Sequence, residues 1–149
     1  MSAHANGRLL FELTRMRSDI PEDCAAKDLS ARAGGFMAIW GAPVAIATAL
    51  SLSPVPNWLS AIAWTIAFTW MGGACLLNAR RCGRLHCYFS GPILLLGALM
   101  DAAVGFGVVT LGAQQGLTTL VMATLVLAAL TYLLEYIWGR YRPANTGDK

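Results

Sequence analysis

Between Ala33 and Gly139 the chain carries only five charged residues, Arg80, Arg81, Arg84, Asp101 and Glu135, while the other fourteen crowd into the first 32 residues and the last ten. A stretch of about a hundred residues with so few charges cannot form a water-soluble surface, since roughly a quarter of the residues in a soluble domain are charged. It suits a chain whose middle lies in hydrocarbon, where an Asp, Lys or Arg at a helix centre costs about 2.5–3.5 kcal/mol. Composition agrees, with 56% hydrophobic residues among 149 and a mean hydropathy of +0.55. The net charge of +3, with no basic stripe interleaved with aromatics, gives no footing for nucleic acid as a partner.

A bilayer core about 30 Å thick takes roughly 20 apolar residues per helix. Four stretches meet that length, and they predict an all-α polytopic membrane protein built as a four-transmembrane-helix bundle. The expected spans are 34–52, 58–81, 92–111 and 117–138. Pro54 and Pro56 break the chain after the first, and Asn57 is placed to cap the second. Gly83 suits a left-handed cap at the end of the second span, and Ser90 and Pro92 suit the start of the third. Gly112 to Gly116 reads as the turn before the fourth. Pro43 is expected to kink the first span.

Orientation follows from where Lys and Arg lie near the span ends. Residues 1–33, the loop with Arg80, Arg81 and Arg84, and the tail 139–149 hold every basic residue, while the other two loops have no charge. Four crossings put all of them on one side, with both termini in the cytoplasm of a bacterial inner membrane. Trp58 at one surface, and Tyr88, Tyr136, Trp138 and Tyr141 near the other, match aromatic belts. Residues 1–33 have no apolar core of signal-peptide length. Leu9, Leu13 and Met16 recur at helical spacing, with Arg8, Glu12 and Arg15 on another face, and suggest a short interfacial or cytoplasmic helix.

Three of four cysteines and one of two histidines fall within Cys75-Leu-Leu-Asn78-Ala-Arg80-Arg81-Cys82-Gly-Arg84-Leu-His86-Cys87. On the cytoplasmic side such thiols stay reduced, and thiolate with imidazole is a ligand set for soft or borderline ions, Hg(II), Cu(I) or Zn(II). Cys75, Asn78 and Cys82 share one helix face. Cys75 and Cys82, however, stand two turns apart, about 10 Å, too far for one ion. The expected site is therefore Cys82, His86 and Cys87 converging after Gly83, with Cys75 one step deeper as a relay ligand. Thiol-redox chemistry and a lipid-binding basic loop are the other readings of the same segment.

A four-span chain with cysteines at its cytoplasmic loop resembles the small bacterial inner-membrane mercury-uptake proteins. The resemblance covers the architecture and the segment Cys75–Cys87. It implies that the cysteines pass a heavy-metal ion inward to a cytoplasmic acceptor. Members of that family carry a paired-cysteine motif in the first span, whereas the first span here has no cysteine.

Asp101 is expected near mid-membrane in the third span, where an ionisable side chain marks an ion pathway or an interhelical anchor. Thr69 and Thr124 are candidate partners for it, and Gly97 and Gly105 on either side leave a groove for another helix. Glu135, near the end of the fourth span, is placed to pair with the arginine loop. No glycine-rich phosphate loop, GxSxG, HExxH or CxxC is present, so an enzyme is not expected. The leading expectation is binding or transport of a soft metal ion, in a homo-oligomer if one chain leaves too little room for a path. The alternative classes are a non-transporting assembly subunit and a thiol-redox membrane protein.

Overall fold

The computed structural model describes residues 28–29, 32–110 and 113–138. The expected helix at 8–17, Cys24 and the tail 139–149 lie outside these. Among the described residues there are four long helices, α1 (Ala33–Leu52), α2 (Asn57–Cys82), α3 (Leu85–Gly105) and α4 (Ala113–Trp138), and each of them contains a stretch long and apolar enough to cross a membrane. No strand occurs among the described residues. Short connections make successive helices antiparallel, so Ala33, Cys82, Leu85 and Trp138 share one end of the bundle. Leu52, Asn57, Gly105 and Ala113 share the other.

Packing follows chain order. The α2–α3 interface is the largest, followed by α3–α4 and then α1–α2. Phe68, Met71 and Leu94 are fully enclosed at the centre, whereas Ile66, Trp70, Leu96, Leu99 and Ile137 point outward. Large outward-facing apolar side chains along helices of this length require lipid as solvent, which makes this a multi-pass membrane protein. Trp58 is exposed near one end and Tyr136 near the other.

The Pro43 effect appears one turn ahead of the residue itself. Met37–Gly41 form a π-turn, closed by the Ala42 N–H donating to the Met37 carbonyl. In that register the Ala38 carbonyl would be bonded by residue 43, which has no N–H. The Trp70 indole N–H of α2 donates to it instead, at 3.3 Å. With the Trp64 indole N–H donating to Ser51 Oγ at 2.9 Å, this bond ties α1 to α2 at two heights.

The expected boundaries need four corrections. Asn57 is the first residue of α2 rather than its cap, which is Pro56. Gly83 takes the left-handed conformation (φ 62°) as expected, but the reversal is complete in two residues. As a result α3 starts at Leu85, and Ser90 and Pro92 lie inside it rather than at its start. The third correction is that α3 ends at Gly105 instead of reaching residue 111, where Gly107 (φ 72°) turns the chain. Asp101 therefore sits about one turn from the end of its helix, not at mid-span. The fourth correction is that α4 begins at Ala113, so that residues 113–116, expected as a turn, are helical.

Glycine sets how closely the helices approach. A Cβ on Gly91 of α3 would come within 2.8 Å of the Leu76 side chain of α2, and one on Gly97 would meet Thr124 of α4 at 2.4 Å. Gly97→Val is expected to destabilise the bundle by about 1–3 kcal/mol through overpacking. Gly73→Ala, where a Cβ meets nothing within 4 Å, should keep or slightly raise stability, since alanine favours the helix. Thermal unfolding in detergent micelles checks both.

Candidate metal centre

The tight Gly83–Arg84 reversal puts His86 and Cys87 in the first turn of α3, and the close α2–α3 approach brings Cys75 alongside them. One ligand atom from each of Cys75, His86 and Cys87 lies within 4.8 Å of the other two, and all three residues are buried. His86 Nε2 is 3.3 Å from Cys87 Sγ. On the opposite side of the ring, Nδ1 donates to Glu135 Oε1 of α4 at 2.5 Å. A carboxylate on one imidazole nitrogen fixes the ring so that the other nitrogen faces the ligand position, as in carboxylate–histidine–metal arrangements. Tyr132 stacks on the imidazole with ring centres 4.0 Å apart, and Trp40 of α1 meets Tyr132 edge-on. The space between these groups and Ile39, Ala74 and Asn78 has no room for a water molecule.

A chain of polar contacts surrounds the thiols. Asn78 Nδ2 donates to Asp28 Oδ1 at 2.8 Å and lies 3.8 Å from Cys87 Sγ, and Asn78 Oδ1 accepts from the Leu29 N–H at 3.2 Å. Arg84 donates through a terminal nitrogen to Asp28 Oδ2 at 2.6 Å and through Nε to Glu135 Oε1 at 3.2 Å. Burial works against the Arg84 charge, but the Glu135 and Asp28 carboxylates outweigh it and hold the guanidinium above its ordinary value. Contacts thus run without a gap from Asp28 through Arg84, Glu135 and His86 to Cys87.

The expected ligand trio is altered. Cys82 is buried but outside the cluster, and Cys75, expected as a relay, takes its place. The expectation assumed a free loop after Gly83 that could fold back over Cys82. Instead the helix resumes at once and carries His86 and Cys87 beside the part of α2 that holds Cys75. The separation of Cys75 from Cys82 along α2 stands as expected. The basic loop also divides, with Arg80 and Arg81 exposed and Arg84 turned inward. Glu135 does pair with the loop, through Arg84. Asn78 belongs to the polar chain at the thiols.

Asp101 lies elsewhere. Its side chain is fully buried, and neither carboxylate oxygen has a hydrogen-bond partner. The expected partners bond to their own helices: Thr69 to the Thr65 carbonyl and Thr124 to the Leu120 carbonyl. Gly97 and Gly105, one turn to either side, admit Thr124 of α4 and Ala61 of α2, so Asp101 is enclosed where three helices meet.

Three contributors escaped the sequence reading: Asp28, Tyr132 and Trp40. Tyr132 had a readable signal, since it stands one turn before Glu135 on the same helical face. Asp28 had none, being one acid among several in a polar segment. Chemically, two thiols and an oriented imidazole, closed off from water, form a donor set for a thiophilic ion. Comparison with protein-family models, curated proteins and solved structures yields no match to this chain.

Proposed function

We propose that the protein binds a soft metal ion at Cys75, His86 and Cys87 and moves it across a bacterial inner membrane, with both termini and the Arg84 end of the bundle in the cytoplasm. The observation that carries this reading is the convergence of three buried ligand atoms within 4.8 Å. Two thiolates and a neutral imidazole around a divalent ion make a complex with no net charge, which suits a site of low dielectric. The resemblance to mercury-uptake proteins favours Hg(II) as cargo, handed to a cytoplasmic acceptor by way of the exposed Arg80–Arg81 face. Asp101 stands fourteen residues beyond Cys87 on α3, about 21 Å along the axis at 1.5 Å per residue and on nearly the same face. An ion arriving from the opposite surface meets this acid first. A second copy of the chain widens the path.

Cells expressing the wild type should accumulate more mercury than cells expressing Cys75→Ser/Cys87→Ser at equal membrane levels. Equal accumulation would remove transport from the reading. Elemental analysis of protein purified with mercury in mild detergent separately checks the site, and absence of bound ion there would remove binding as well.

A further inference from the structure

We propose that Cys75 and Cys87 also form a two-electron redox centre, a dithiol that closes to a disulfide by passing its electrons to a lipid-soluble quinone. The two sulfurs lie within 4.8 Å of each other across the α2–α3 interface. A disulfide needs about 2 Å between sulfurs, so closing the bond brings them nearer by at most about 3 Å. Cys82, on the same α2 face but two turns away, is outside this pair.

The choice of acceptor follows from access. Cys75 and Cys87 are 3% and 1% exposed, and the space around them admits no water, so a protein disulfide in the aqueous phase has no approach to them. The lipid side differs. An apolar groove of about 700 Å³ between α1 and α2 is lined by Ile66, Trp70, Gly73 and Leu77, and by Ile39 and Ala74. Ile39 and Ala74 also wall the thiol cavity. The groove and the sulfurs are thus separated by the side chains of these two residues, one of them a single methyl. Quinones are the two-electron acceptors that dissolve in hydrocarbon. The reaction balances as two thiols and one quinone giving one disulfide and one hydroquinone. One S–S bond forms, the two S–H protons and two electrons leave the cysteines, and the two quinone carbonyls become hydroxyls.

The inference shares its cysteines with the proposed metal site but needs no ion, so the two readings fail separately. The test uses full-length reduced protein in nanodiscs, under anaerobic conditions and without metal, with a short-chain ubiquinone as probe. The expected result is loss of two alkylatable thiols per chain with reduction of one equivalent of quinone. Cys82→Ser should match the wild type, while Cys75→Ser and Cys87→Ser should reduce none. Gly73→Phe places a ring in the groove at a position where a Cβ meets nothing within 4 Å. It should slow the reaction at least tenfold while keeping the wild-type melting temperature and thiol count. Wild-type thiols that survive excess quinone would overturn the proposal, as would undiminished quinone reduction in Cys75→Ser. Wild-type rates in Gly73→Phe would overturn the approach through the groove.

Discussion

Cys75→Ser is expected to lower the affinity for Hg(II) or Cu(I) by at least about 100-fold, and Cys82→Ser to leave it within about threefold. Losing a partner that merely orients a metal ligand typically costs 10–100-fold, and losing a coordinating sulfur should cost no less. The two cysteines are alike in most respects: both lie on α2, both are buried and both occupy the same helical face. They differ in what stands opposite. Cys75 faces His86 and Cys87 across the interface, and Cys82 does not share their cluster. Competition against a chromophoric chelator, with the protein reduced in detergent, measures the difference. A larger loss in Cys82→Ser than in Cys75→Ser would overturn the ligand assignment and restore the trio suggested by spacing alone.

The second large effect is expected from Arg84→Met, a loss of about 3–5 kcal/mol of stability, because removing one partner from a buried ionic group takes the guanidinium away from two buried carboxylates. Here one guanidinium serves two carboxylates, Asp28 at 1% and Glu135 at 8% side-chain exposure, and is itself 13% exposed. Arg84→Lys should recover only part of the loss, since a single ammonium cannot reproduce the fork that reaches both acids. Arg84→Met/Asp28→Asn should recover another part by removing one buried charge. Thermal unfolding in detergent reads all three variants. An Arg84→Met protein as stable as the wild type would show that the ion pairs make no net contribution.

Arg84 also shows where sequence reading reached its limit. As one of three arginines between two apolar spans it was legible as a topology marker, and Arg80 and Arg81 at the exposed end of α2 fit that role. Its inward turn depends on Asp28, Asn78 and Glu135 lying within reach, and those residues are separated from it, or from each other, by about fifty positions. The Glu135 pairing was legible because both residues fall at span ends that share one surface, but no local pattern encodes the one with Asp28. The left-handed Gly83 was legible for the opposite reason, because only a residue without Cβ takes that conformation at low cost. Ser90 and Pro92 misled because proline usually marks a first helical turn. Within a membrane helix, packing against neighbours holds the helix together despite the one missing bond.

Sequence by itself determined the four apolar spans found among the described residues and the placing of Arg80, Arg81 and Arg84 at one end of the bundle. These follow from transfer free energy and helix length, which depend on each segment alone. It also determined that Cys75 and Cys82 cannot meet, since the rise of an α-helix sets their separation. Tertiary structure alone decided which cysteine joins His86 and Cys87, that Glu135 orients the imidazole, and that Asp101 is enclosed near a helix end without a partner. Those outcomes depend on the two-residue reversal at Gly83–Arg84 and on the close approach at Gly91 and Gly97, where the register of one helix against the next differs by whole turns according to where the second helix begins.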